Sequence, residues 1–424
     1  MAQEPHREGV SPYDVVIAGG GFTGRALALA LTRLAPKGFR VALVDAESSF
    51  GEGRRREAAA QQDARALTLS AATKNLLSVL DVWTSLRPPP EPISSIDITD
   101  SPLNAELRPH FLGFADELKS REPAAYLVEY GALYQALEAA VRTEKSIEIF
   151  APDTVVDYST DDFSVVAKLA AGAEITARLV VASDGKRSRL REAAGIKCVS
   201  WSYPQVGIVT TVAHTRPHHG RAVQHFLPAG PFAMLPLTGN RSSIVWTEEK
   251  ERGAAIMALD EEGFTRELTT RFGARLGAIK LAGPRQSFAL EFQIARSFIA
   301  DRLALIGDAA HVVHPLAGQG LNIGMRDVAA LAETIVEEAR LGLDIGSGPG
   351  LERYQRWRRF DSAFSGAVMD GLNRLFSNDN APLRVLRDLG LGLVDRVPEL
   401  KRFLVREAAG GTGSVPRLLK GERV

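Results

Sequence analysis

Six residues near the N-terminus, Gly19-Gly20-Gly21-Phe22-Thr23-Gly24, fit the pattern GxGxxG through Gly19, Gly21 and Gly24. Such spacing serves to hold a dinucleotide pyrophosphate. The first glycine permits a tight turn, and the second lets the backbone approach phosphate oxygens. The third lets the following helix pack close to its strand, with the helix N-terminus facing the phosphate charge. Asp45 lies 21 residues beyond Gly24, where an acid is placed to take a ribose 2′-hydroxyl. Taken alone, this motif does not separate a flavin dinucleotide from a nicotinamide one.

Two later segments make that separation. Asp184-Gly185-Lys186-Arg187-Ser188-Arg189 follows an apolar run at once. An acid and a glycine at a strand end can hold a dinucleotide from its far side, although an ordinary capped turn reads the same way. Arg302 to Ile306 is a second apolar run, ending in Gly307-Asp308-Ala309-Ala310-His311. There the acid can hydrogen-bond a ribityl hydroxyl, and the alanines permit close approach. Pro315-Leu316-Ala317-Gly318-Gln319-Gly320-Leu321-Asn322 then leads into a helix. Backbone N–H groups at that helix start can face the N1–C2=O edge of a flavin, where the helix dipole favours the negative charge of the reduced ring. The three segments together favour FAD. His311 and His314 have no neighbouring Cys or Glu ligand, so capping or packing is expected of them and no metal site.

The elements that must carry these residues follow from periodicity. Asp14–Ala18 and Arg40–Asp45 read as apolar strands around a helix at Phe22–Leu34, which makes a βαβ unit. Gly131–Thr143 reads as a helix, and Ser146–Phe150, Ser164–Leu169 and Glu174–Ala182 read as strands. Pro204–Glu249 alternates between turn residues and reads as an antiparallel sheet. A helix is expected from about Leu321 to Arg340, and helical structure from beyond Gly350 to near residue 409. The fold class is therefore α/β. A Rossmann-type FAD-binding domain (13–80, 126–198 and 296–345) interleaves with an antiparallel-sheet substrate domain (81–125 and 199–295), and a helical region (346–424) follows.

Bulk properties bound the remaining classes. The 424 residues suit two interleaved domains, and 45% hydrophobic with 24% charged residues is ordinary for a globular protein. A formal net charge of zero provides no field for nucleic acid. The one cysteine, Cys198, excludes a disulfide framework and reads as a small buried apolar residue. Residues 1–12 read as a disordered polar tail without a secretory signal. No uncharged apolar run reaches transmembrane length. A cytoplasmic protein, or one peripheral to a membrane on its inner face, is expected.

The three segments, in this order and at these separations, resemble the para-hydroxybenzoate-hydroxylase-like flavoprotein monooxygenases. Asp63-Ala64-Arg65-Ala66-Leu67-Thr68-Leu69-Ser70 is similar to that superfamily's arginine-bearing segment beside the flavin. Tyr203-Pro204-Gln205, Pro217-His218, Ala222 to Pro231, Leu235-Pro236-Leu237 and Trp246 resemble the ubiquinone-biosynthesis hydroxylases in particular. So do Tyr354, Arg358, Leu375-Phe376-Ser377 and Pro398-Glu399-Leu400-Lys401. The likeness runs from about residue 13 to 410. Phe288-Ala289-Leu290 departs from the family's frequent Phe-Pro-Leu.

This resemblance implies an FAD-dependent aromatic hydroxylase. NADPH or NADH would bind transiently and reduce the flavin. The reduced flavin would form a C4a-hydroperoxide with molecular oxygen, which attacks an electron-rich ring. The implied substrate is a polyprenylated phenol of ubiquinone biosynthesis. Hydroxylation of another aromatic, or a flavin-binding assembly role in a quinone-biosynthesis complex without turnover, are the alternatives. Arg65 would touch the flavin or gate its movement, or else form a surface salt bridge. His218 is the candidate general base, against a structural role. Gln224 and Trp246 would line the substrate cavity, or pack the sheet. Leu386, Leu389, Leu393, Val397, Leu400 and Leu404, flanked by Arg384, Arg387, Arg396, Lys401, Arg402 and Arg406, form an amphipathic basic series. It would contact lipid, the protein's own core or a protein partner.

Overall fold

A computed structural model describes residues 12–47, 63–100, 112–113, 123, 125–273, 275–314, 318–376 and 415–424. Four short apolar strands, Val15–Ala18, Val41–Val44, Leu179–Ala182 and Leu303–Leu305, are buried at every position. Strands covered on both faces must read this way. With Ile147–Phe150 at one edge and Ile299–Ala300 at the other, they form a six-stranded sheet. It is parallel except at the Ile299–Ala300 edge. The helix Phe22–Leu34 packs against both Tyr130–Thr143 and Gln319–Arg340. A meander of Val155–Thr160, Val165–Leu169 and Glu174–Ala177 adds its apolar residues to the same core.

The order of this sheet fixes where a ligand can sit. Val15–Ala18 lies between Val41–Val44 and Leu179–Ala182, so the chain winds away from it in both directions. Such a switch point opens a crevice at the carboxyl ends of the strands. The register pairs Ala18 with Ala182, and Ala182 with Leu305. Three strand ends thus stand side by side, and a glycine-bearing turn leaves each of them.

Glu174–Ala182, expected as one strand, is two. Arg178 breaks it: its N–H donates to the Asp14 carbonyl and its guanidinium to the Leu343 carbonyl. Glu174–Ala177 closes the meander, whereas Leu179–Ala182 enters the parallel sheet.

The second large sheet is built on the 17-residue strand Cys198–His214. Arg241–Glu249 pairs with it on one side and Gln286–Ala295 on the other. Gly230–Leu237, Arg221–Leu227, Ser95–Asp100 and Leu112–Gly113 continue the sheet. Alternation divides its two faces. Ile208, Phe232, Ile244 and Trp246 join Phe264 and Leu268 of the helix Glu261–Phe272 in a second core. On the opposite face Gln224, Ala233, Leu235 and Val245 remain only half-buried, with Gln224, Ala233 and Val245 in direct register. Phe288 belongs to this open face through its pairing with Gly207.

Trp246 is therefore a packing residue and not a cavity wall. It is fully buried, its Nε1–H donates to Glu248 at 3.2 Å, and the Arg271 guanidinium stacks 4.1 Å from its ring centroid. The C-terminal region contributes the helix Gly348–Phe376. Residues 415–424 then return to the first core. There Leu418 and Leu419 are buried, and Asn75 donates to the Leu419 carbonyl. The amphipathic series from Arg384 to Arg406 lies outside the described residues, as do residues 1–11. Replacing Trp246 by alanine is expected to lower unfolding stability by about 3–5 kcal/mol, as for other large buried aromatics. Urea denaturation of the variant measures this.

Candidate active site

The three turns touch one another. Gly19 has φ +108°, and a Cβ there would overlap the Ser183 carbonyl at the end of the neighbouring strand. Thr23, in the first turn of the fingerprint helix, shares a 2.8 Å hydrogen bond with the Ser183 hydroxyl. The same Thr23 fills the space beside Gly307 and Gly324, where an added Cβ would come within 2.9 Å of it. A Cβ on Gly24 would strike the Gly19 carbonyl, and one on Gly20 the Asp45 carboxylate. Thr23, Ser183 and Gly324 were not singled out in the sequence. Their signal was only that small residues recur wherever two turns must meet.

Other glycines have nothing near them. A Cβ on Gly21, Gly185 or Gly320 would meet no atom within 4 Å. These mark the side from which a ligand approaches bare backbone. Polar groups converge on it. Asp184 accepts from the Arg189 N–H at 2.8 Å through Oδ2, whereas its buried Oδ1 has no partner among the described residues. Burial raises the pKa of this carboxyl. Asp308 sits at an exposed position. Desolvation by the surrounding protein raises its pKa, and the charges of His311, Arg65 and Lys186 oppose that rise. Asp45 is held by the fully buried Arg25 at 3.2 Å, and Arg25 also donates to the Tyr134 hydroxyl at 2.6 Å. An acceptor with a free lone pair, bare backbone and small residues at strand ends fit a dinucleotide that carries hydroxyls and phosphates.

A buried ionic group stands behind the third turn. Asp327 Oδ2 accepts from the Gly307 N–H at 3.0 Å and contacts His311 Nε2 at 2.6 Å. Its Oδ1 accepts from Arg358 Nε at 2.8 Å. Both ends of the five-residue turn 307–311 thus hang on one carboxylate. Its pKa is lowered: burial opposes ionisation, but the His311 and Arg358 charges outweigh it. Tyr354 adds a hydrogen bond to the Leu305 carbonyl at 2.7 Å.

The helix Gln319–Arg340 begins at Gly318, which has φ +65° and lies against the Thr68 side chain. Asn322 accepts from the Ser70 N–H at 2.9 Å and the Thr73 hydroxyl at 2.8 Å, and donates to the Thr68 carbonyl at 2.7 Å. Its side chain is thus a staple to the strand Ala66–Ser70, not a ligand contact; only its backbone and that of Gly318, Gly320 and Leu321 remain for a ligand. Pro315 lies outside the described residues.

Arg65 precedes that same strand. It makes a bidentate pair with Asp63, with Nη2 at 2.6 Å from Oδ2. Its guanidinium lies 4.3 Å from the Tyr130 ring centroid and 5.1 Å from that of Phe288. It therefore spans the dinucleotide crevice and the open face of the second sheet. Gln224 lies on that open face. His218 does not suit a base. Its Nδ1 accepts from the Gly220 N–H at 2.9 Å, so Nε2 carries the proton and donates to the Leu237 carbonyl at 2.8 Å. Neither nitrogen is left for a substrate. His314 has the reverse character. Burial depresses its pKa to about 4, against a smaller opposing pull from Asp370, so the ring is neutral near pH 7.

A switch-point crevice lined by three such turns defines a flavoprotein of the Rossmann type. The chain belongs to the FAD binding domain family, whose profile matches residues 12–359. Among curated proteins, the ubiquinone hydroxylase UbiL of Rhodospirillum rubrum is 43% identical over 413 residues, covering 96% of this chain and 92% of that protein. The 3-demethoxyubiquinol 3-hydroxylase of Escherichia coli is 34% identical over 402 residues, covering 94% and 99%. Among solved structures, p-nitrophenol 4-monooxygenase PnpA from Pseudomonas putida superposes with a TM-score of 0.74 at 20% identity, covering 95% of this chain and 99% of that one. That likeness is one of fold. Among the described residues no group of His, Cys, Asp and Glu could hold a metal ion.

The two kinds of glycine separate experimentally. Gly320→Ala, which fills only open space, is expected to leave apoprotein thermal stability unchanged while weakening FAD binding by about tenfold or more. Gly19→Ala is expected to lower both, because its Cβ has no room at a left-handed φ. Thermal melts of apoprotein together with FAD titration check the contrast.

Proposed function

We propose that the protein is an FAD-dependent monooxygenase that hydroxylates the ring of a polyprenylated phenol in ubiquinone biosynthesis, with NADPH or NADH as reductant. The observation that carries this reading is the joining of two surfaces by Arg65. The crevice of three turns lies on one side, and the half-buried sheet face of Gln224, Ala233, Leu235 and Val245 lies on the other. The full-length similarity to the ubiquinone hydroxylase of R. rubrum and to the E. coli enzyme supports the substrate class.

In this reading Gly21 opens the backbone to the pyrophosphate, Gly19 and Gly24 let the turn and helix close beneath it, and Asp45 takes the adenosine ribose. Asp184, Gly185, Gly307 and Asp308 hold the dinucleotide from its other side. When bound, FAD supplies the electron transfer and oxygen activation, which no side chain can provide. The chain's own residues position and shield. Backbone N–H groups of Gly320 and Leu321 at the helix start favour negative charge on whatever faces them. The Arg65 guanidinium, fixed by Asp63 and lying against Tyr130 and Phe288, directs N–H donors and the positive end of an otherwise neutral ion pair toward Asp308. The open face, apolar apart from Gln224, offers a surface on which an aromatic ring can rest. A prenylated substrate resides in the bilayer. No helix among the described residues is long and apolar enough to cross a membrane, so access by peripheral contact is the form this reading takes.

The test is incorporation of labelled oxygen. Purified FAD-loaded protein, given NADPH and a short-chain prenylated phenol under ¹⁸O₂, is expected to yield a hydroxylated product carrying one ¹⁸O atom. Flavin reduction with product lacking the label, or no product with any reductant, would contradict the proposal.

A further inference from the structure

His314 is 1% exposed, yet neither of its ring nitrogens has a hydrogen-bond partner among the described residues. A buried imidazole in this condition is uncommon, because each unmet group keeps its desolvation cost. The other buried histidines do not share it. His214, His218, His225 and His311 each have a hydrogen-bond partner. The exception stands where the two working surfaces meet.

His314 follows the short strand His311–Val312, which forms the edge of the second sheet beside Gln286–Ala295. It precedes by four residues Gly318, where the helix facing the dinucleotide crevice begins. Its ring lies edge-on to Tyr203, with centroids 5.1 Å apart at 88°. The Tyr203 hydroxyl donates to Asp370 at 2.7 Å, on the helix Gly348–Phe376. That helix also runs against Gly230–Leu237, the strand that offers Ala233 and Leu235 to the open face. Trp201 and Phe292, stacked at 4.1 Å, continue the wall, and Gly366 brings the helix against Phe292. Among the described residues the imidazole is thus an unmet polar group at the aromatic end of the proposed substrate face.

A neutral imidazole has one N–H donor and one lone pair. A phenol hydroxyl has one O–H donor and acceptor lone pairs, so either tautomer finds its complement. We infer that the His314 side chain is the hydrogen-bonding partner of the substrate's ring hydroxyl, and that it selects a phenol over the same ring without the hydroxyl. The inference rests on the hydroxylase reading above. Holding the hydroxyl at this fixed point also sets which ring carbon faces the flavin, so His314 is a specificity-determining residue.

The test compares two ligands against three proteins, all FAD-loaded. The ligands are a short-chain prenylated phenol and its analogue lacking the hydroxyl. The proteins are wild type, His314→Leu and His314→Gln, and binding is followed by perturbation of the flavin absorbance. The wild type is expected to prefer the phenol by about tenfold or more. His314→Leu is expected to bring the ratio near one, and His314→Gln, which keeps a donor and an acceptor, to restore part of it. An unaltered flavin spectrum before ligand addition certifies that each variant is folded. If both ligands bind and the ratio is the same in wild type and His314→Leu, the hydroxyl is held elsewhere and the assignment falls alone. If neither ligand binds the wild type, the hydroxylase reading falls and takes the assignment with it.

Discussion

Asp327 is fully buried, and three groups from two distant parts of the chain converge on its carboxylate. The backbone at Gly307 and the ring of His311 come from the turn after Leu303–Leu305, and the Arg358 guanidinium comes from the C-terminal helix. A carboxylate this far from water persists only because cations and donors surround it. Removing one partner of such a group typically costs about 3–5 kcal/mol, since the other charges stay buried without compensation. The arrangement has a geometric consequence. The turn bearing Asp308 cannot move independently of the helix Gln319–Arg340, which carries Asp327, or of the helix Gly348–Phe376, which carries Arg358.

From that fixed turn the site is assembled by contact between small residues. Thr23 lies against Gly307 and Gly324 and reaches Ser183, while Gly19 leaves no room for a side chain beside Ser183. Parallel register lines up the three strand ends, and glycine at the contact points lets the turns close on one another. Asn322 and Gly318 extend the same logic to the strand Ala66–Ser70. Arg65, just before that strand, reaches Phe288 on the open face of the second sheet. A chain of contacts therefore runs from a buried ion group to the surface on which a substrate ring would rest.

Much of this frame was legible in the sequence. The glycine fingerprint, Asp184-Gly185 and Gly307-Asp308 follow apolar runs, and local periodicity reveals such strand ends. Phe22–Leu34 has the bounds its spacing gives. What escaped was set by partners distant in the chain. Arg178 splits one apparent strand because Asp14 and Leu343 claim it. Trp246 and His218 have residue types suited to a cavity, but pairing register turns Trp246 toward Phe264, and the Gly220 N–H and the Leu237 carbonyl take the two nitrogens of His218. Asn322 reads as a ligand contact because it follows Gly320, yet Ser70 and Thr73, some 250 residues earlier, take its side chain. The helix Glu261–Phe272 did carry a local signal: Asp260 accepts from the Gly263 N–H as an N-cap, and two glutamates follow it.

Three turns distant in sequence are brought together here as one FAD site. Amide hydrogen exchange of apoprotein against FAD-loaded protein tests it most directly. Added FAD is expected to protect residues 19–24, 184–190, 307–311 and 318–322 together and at the same ligand concentration. Protection confined to residues 19–24, with the other three segments exchanging as in the apoprotein, would contradict it.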